Sequence, residues 1–197
     1  MLAKLDENEV AYYFDPVCPW TWKTSRWLVE ASTNLNFEIF WRPFSLTLLN
    51  NGSIPEEYAE AMKVSSKVLR VITQMAISER NNEVFDFYKA LGEAWFENSA
   101  QVSVDTVERV LVELELGHYR QFLDDEALDL ELSEIHRYAH GLAGDGTGSP
   151  VLELSNGVGV YGPILTSAPK GEEAASLYSS VRNLVLDSRF MELKRHH

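Results

Sequence analysis

Cysteine is the scarcest reactive residue in this chain of 197 residues: there is one, Cys18. A single cysteine cannot close an internal disulfide, which excludes a disulfide-stapled secreted scaffold and points to a reducing, cytoplasmic setting. Positive charge is scarce too, with 17 Lys and Arg against 30 Asp and Glu and a formal charge of −13. That balance repels phosphate backbones and anionic lipid surfaces, so neither nucleic acid nor a membrane is expected as a partner. No apolar run approaches the roughly 20 residues that a spanning helix requires. The opening Met1-Leu2-Ala3-Lys4-Leu5-Asp6-Glu7 lacks the apolar stretch of a secretory signal. Internal repeats and low-complexity tracts are also missing.

What is present is a large apolar share, 45%, with five Trp, eight Tyr and nine Phe. A chain of this length and composition has ample core for one folded domain, or one domain carrying an insertion. Its organising stretch is Phe14–Trp27, FDPVCPWTWKTSRW. The apolar run Val10-Ala11-Tyr12-Tyr13-Phe14 before it reads as a buried strand. Past Cys18 the spacing turns helical, with Trp20, Trp27, Leu28 and Ala31 on one expected inward face. Pro19 suits the first turn of a helix, because the N–H it lacks has no partner there. Cys18 is therefore expected at a helix N-terminus. Exposed N–H groups and the positive helix end favour a thiolate, and such sites lower a cysteine pKa from about 8.5 to roughly 3.5–7.5.

The rest of the chain gives a coarse topology. Asn36–Arg42 reads as a second strand, parallel to the first. Ser53 and Glu56 have the spacing of a capping box. From Pro55 to about Gly141 the pattern is helical, over segments near 55–80, 83–97, 103–115 and 119–140, with a break expected at Asp124-Asp125. Gly141–Pro150 is a glycine-rich loop. The strands Val151–Leu154 and Gly157–Tyr161 flank a turn at Ser155-Asn156-Gly157. The last helix opens at Gly171-Glu172-Glu173, with Leu177, Val181, Leu184 and Val185 on its apolar side.

Several other patterns carry less chemistry. His136 and His140 are spaced for one helix face, but no third ligand is positioned, so a core-satisfied or solvated pair is the expected reading and no metal is assigned. Gly144-Asp145-Gly146-Thr147-Gly148 does not follow a strand and open a helix, so no bound nucleotide is expected. Asp124-Asp125-Glu126 reads as a helix N-terminal cap rather than a catalytic pair. His196 and His197 end the chain without an assigned role.

Phe14-Asp15-Pro16 followed by Cys18-Pro19-Trp20 resembles the active-site entry of the DsbA-like branch of the thioredoxin superfamily. The longer DPVCPWTWKTSRW is similar to actinobacterial proteins described as mycothiol-dependent nitroreductases or DsbA-family oxidoreductases. Further agreement comes from Phe44-Ser45-Leu46 with Leu49-Asn50, from Gly148-Ser149-Pro150, from Gly162-Pro163-Ile164-Leu165 and Pro169–Glu173, and from Phe190–Arg195. The resemblance implies an α/β, thioredoxin-like fold over residues 1–54 and 142–197, with an inserted all-helical subdomain over 55–141. It implies a cis Pro150 in a loop facing the reactive cysteine, with the Ser149 backbone pairing with a bound thiol compound.

It also implies a thiol-dependent oxidoreductase. Cys18 would be its nucleophile, and Pro19, Trp20, Thr21, Ser149 and Pro150 would contact substrate or thiol. A low-molecular-weight thiol such as mycothiol would be the co-substrate. Partners would be small thiols, disulfides or electrophilic small molecules; a homodimer is compatible with the pattern. The departure is Thr21, which stands where the family pattern usually has its second cysteine. Without a resolving thiol, only a cycle in which an outside thiol releases Cys18 remains open. Thr21 either donates a hydrogen bond to the thiolate or simply keeps a small polar residue in place. Two other readings stand beside this one: a thiol transferase or isomerase resembling the kappa-class glutathione transferases, and a redox-inactive binding or chaperone-like relative.

Overall fold

In the computed structural model, which describes residues 4–155 and 157–193, the expected first strand is β1, Glu9–Phe14. Every side chain from Val10 to Phe14 is buried, because both faces of this strand are covered. Alternation divides them, as a strand's period of two requires. Val10, Tyr12 and Phe14 join the larger apolar cluster, and Ala11 and Tyr13 join the smaller one on the other face.

Strand β2, Glu38–Pro43, runs parallel to β1 with Val10 opposite Ile39 and Tyr12 opposite Trp41. The connection between them is helix α1, Pro19–Leu35, which ends at Asn36 in the left-handed conformation that Asn tolerates. β3, Val151–Leu154, and β4, Gly159–Tyr161, complete the sheet as antiparallel neighbours in the order β2-β1-β3-β4. The turn residue Asn156 lies outside the described residues, as do Lys194 and Arg195 of the family-like ending and His196 and His197 after it.

Between β2 and β3 the chain is helical. It forms a short α2, Leu46–Leu49, then α3, Ala59–Ile77, α4, Asn81–Gly92, α5, Val104–Glu113, and α6, Leu128–Ala143. α4 runs on through a π turn, Glu93–Glu97, and 3₁₀ turns sit at Glu56–Tyr58 and Gly117–Phe122. The last helix is α7, Gly171–Leu186. One cluster joins α1, α7 and α3–α5 to the Tyr12 and Phe14 face of the sheet, while α6 covers the opposite face through Ile135 and Ala139. Trp27 of α1 donates from Nε1 to Ala174 O of α7 at 3.1 Å, fixing those two helices together.

Three local expectations are corrected. The Ser53–Glu56 capping box does not form: Pro55 holds the cap position of the 3₁₀ turn and makes no side-chain bond. A residue before proline is pushed out of the helical region, so Ile54 cannot carry a helix started at Ser53. Leu184 is exposed rather than on the buried side of α7, which is formed by Ala174, Tyr178 and Val185. Trp20 is the third and bears on the site. The break at Asp124-Asp125 is present. Asp125 Oδ1 accepts from Ala127 N there, Asp124 pairs with Lys67, and α6 itself begins at Leu128.

Candidate active site

The loop from β1 to α1 is held by Asp15, a residue with no exposed surface. Its Oδ1 accepts from Val17 N at 3.1 Å and from Ser65 Oγ at 2.7 Å, and its Oδ2 accepts from Leu46 N at 2.9 Å. One carboxylate therefore joins the turn to α3 and to the start of α2. Burial raises its pKa, and these three donors pull it back down. The Asp15 backbone completes the turn, its carbonyl accepting from Cys18 N at 3.1 Å.

Cys18 is the N-cap of α1, in extended backbone with Pro19 as the first helical residue. Its carbonyl accepts from Trp22 N at 3.1 Å, the first bond of the helix. The expected position is thus the observed one, at the carboxyl ends of the parallel strands, where open α/β sheets bind ligands. The expected acidity is not. The thiol is 8% exposed, makes no side-chain capping bond, and burial pushes its pKa up. The Thr21 hydroxyl and the N–H groups of Thr21 and Trp20 pull it down, and the Asp15 charge adds to the rise. The helix end is present, but loss of water outweighs it.

Ser149 and Pro150 meet this helix from across the sheet, and the Ser149–Pro150 bond is cis. Ser149 Oγ lies 3.0 Å from Thr21 Oγ1 and accepts from Asp15 N at 3.1 Å. Thr21 is itself fully buried, and its carbonyl accepts from the Tyr12 hydroxyl at 2.8 Å. Cys18, Thr21, Ser149 and Pro150 are therefore brought together. Trp20 stands outside the core at 42% exposure, with Lys23 Nζ 4.8 Å above its ring. It occupies the first turn of α1, beyond the strand ends, so the helical stripe that buries Thr24 and Trp27 leaves it at the rim. The inward tryptophan is Trp22, whose ring has the Arg26 guanidinium at 4.0 Å and the stacked Phe96 ring at 6.2 Å.

Sequence reasoning missed Asp15, whose partners are distant in the chain, and Thr24. The Thr24 hydroxyl donates to Pro163 O at 3.1 Å and accepts from Leu165 N at 3.3 Å, docking the Gly162–Leu165 motif on α1. The Gly162–Pro163 bond is also cis. His136 and His140 lie apart from this site. His136 is buried against Phe44, its Nδ1 accepts from Ser45 N at 3.4 Å, and burial with the His140 charge lowers its pKa to about 4. It is a core-satisfied histidine.

A family model described as Rv2466c-like, mycothiol-dependent nitroreductase Rv2466c, matches residues 17–195. The chain belongs to this family. It is also similar to an uncharacterized protein of Mycobacterium tuberculosis, Rv2286c, 29% identical over 195 residues that make up 94% of this chain and 81% of that one. Among solved structures, the chain is similar to a probable DsbA oxidoreductase, SCO1869, of Streptomyces coelicolor. That match has a TM-score of 0.62 at 17% identity, over 95% of this chain and 93% of the other. The cytosolic disulfide reductase DsbM of Pseudomonas aeruginosa, solved with GSH, matches with a TM-score of 0.55 at 14% identity, over 88% and 99% of the two chains. A 2-hydroxychromene-2-carboxylate isomerase matches at 0.54 and 12%, over 89% and 94%. The fold of the Rv2466c-like chain is accordingly α/β and DsbA-like, a thioredoxin-like sheet with helices inserted after β2.

Proposed function

We propose that this Rv2466c-like protein is a monothiol oxidoreductase in which Cys18 is the only nucleophile and a low-molecular-weight thiol, mycothiol by family membership, is the co-substrate. The observation that carries the reading is the meeting of Cys18 at the start of α1 with Thr21 and the cis Ser149–Pro150 pair. Cys18 attacks a small disulfide, one sulfur joining Cys18 while the other leaves as its thiolate, and an outside thiolate then displaces Cys18 from the mixed disulfide, since no second cysteine exists to do so. Trp20 and Pro19 form the rim against which the thiol compound rests, and the Ser149 backbone pairs with it. In this reading residues 55–141 act as an inserted helical subdomain walling the site. The protein works in the reducing cytoplasm, where its thiol co-substrate is found. Thiol-dependent turnover lost in Cys18→Ser supports the reading; turnover unchanged in that variant ends it.

One observation favours a second reading, that of a transferase or isomerase in which the bound thiol compound does the chemistry. Burial holds Cys18 as the thiol rather than the thiolate. Conjugation without any adduct on the protein separates this reading from the first.

A further inference from the structure

Tyr161 ends β4, directly across the ladder from Val151. The next N–H, that of Gly162, donates to Pro150 O at 2.8 Å. The Tyr161 backbone is therefore tied to the loop that faces Cys18. The ring lies over that loop: a methyl group placed on Gly148 would sit 3.5 Å from a ring carbon and 3.7 Å from the hydroxyl. The side chain is 40% exposed, and among the described residues its hydroxyl makes no hydrogen bond.

The Cys18 charge is felt at Tyr161. Burial raises the phenol's pKa, and the nearby thiol raises it further, so the phenol keeps its proton at neutral pH. The donors that favour the Cys18 thiolate are Thr21 and the Trp20 N–H, not Tyr161. An unspent, protonated donor thus stands at the mouth of a thiol site, free for the group that the thiol attacks.

We propose that Tyr161 is a catalytic residue that donates a hydrogen bond to the sulfur expelled when Cys18 attacks a disulfide. The inference rests on the thiol chemistry proposed for Cys18. The Cys18 thiolate forms a bond to the nearer sulfur of R–S–S–R′, the S–S bond breaks, and its electron pair leaves on R′–S⁻. The Tyr161 O–H bonds to that sulfur as its charge develops. The proton that completes R′–SH comes from water, which reaches the half-exposed phenol, so Tyr161 ends unchanged. The substrate disulfide is reduced and Cys18 is oxidised to the mixed disulfide; a second thiolate, R–S⁻, then displaces Cys18 and leaves as R–S–S–R. A donor at the expelled sulfur matters most when that sulfur holds charge poorly, as an alkyl thiolate does, and least for a nitro-substituted aryl thiolate. The inference accordingly favours alkyl over aryl disulfides as the substrate class.

The test is the rate of adduct formation on Cys18 in the full chain and in Tyr161→Phe. The probes are bis(hydroxyethyl) disulfide, a nitro-substituted aryl disulfide and iodoacetamide. Loss of one hydrogen bond to a developing charge is expected to slow the alkyl disulfide roughly 10- to 100-fold. The aryl disulfide and iodoacetamide should be almost unaffected, a pattern that a merely structural loss would not give. Equal slowing with all three probes, or none with any, overturns the assignment. If the unsubstituted protein forms no adduct with either disulfide while iodoacetamide still labels Cys18, the thiol-exchange reading itself fails. That outcome is visible before any substitution is made.

Discussion

The Thr21 and Ser149 hydroxyls stand 3.0 Å apart, joining the first turn of α1 to the cis-proline loop. Thr21, the position where the resemblance implies a second cysteine, is fully buried and lies one turn along the helix from Cys18.

Thr21→Cys is expected to restore a disulfide-forming pair. Oxidation of this variant should join Cys18 to the introduced thiol in an internal bridge, seen as a mass lower by one hydrogen pair and as loss of labelling by iodoacetamide. The unsubstituted chain, with one thiol, cannot do this. A variant that keeps both thiols free under mild oxidant would show that the helix start does not bring position 21 to Cys18.

Burial sets the Cys18 acidity, so its alkylation should rise with pH with a midpoint above the ordinary thiol value. The folded state holds the proton to higher pH than the unfolded chain, so stability falls as pH rises past the unfolded thiol pKa of about 8.5. The rate of iodoacetamide labelling against pH checks the first statement. A midpoint below neutrality would mean that the helix terminus, not burial, controls the thiol.

Much of this site could be read in the sequence, and the unreadable part has a common cause. The Val10–Phe14 strand, the helix start at Cys18-Pro19 and the antiparallel pair after Pro150 are local patterns of apolar spacing, proline and turn residues. The Cys18 acidity is not local: it depends on how much of the chain covers the sulfur. Asp15 reads as a turn residue, yet its carboxylate gathers donors from residues 46 and 65. Trp20 fits the buried stripe by spacing and is exposed because that stripe runs past the edge of the core. α2, four residues long, is too short to show any periodicity.

Gly92 of α4 packs against Trp22 of α1. A Cβ built on it would lie 2.2 Å from the Trp22 ring, in a cluster that also holds Tyr88 and Phe96. Gly92→Ala must displace Trp22, and overpacking of this kind costs about 1–3 kcal/mol. Urea unfolding is the measurement; a variant as stable as the parent would show that Trp22 has room to move.

His136 makes the fold acid-sensitive. With a folded pKa of about 4 against an ordinary 6.5, it is neutral in the fold and protonated sooner in the unfolded chain. Stability from this group is complete above 6.5 and is lost as pH falls towards 4, a loss of about 3 kcal/mol in all. His136→Phe should flatten the slope of unfolding free energy against pH in that window. An unchanged slope would assign the acid sensitivity to other groups.

The most direct test of the account is intact mass. Reduced protein is mixed with mycothiol disulfide and weighed, then weighed again after free mycothiol is added. One mycothiol adduct, on Cys18, is expected, and free mycothiol removes it. Absence of any adduct under conditions where Cys18 still alkylates would contradict the account.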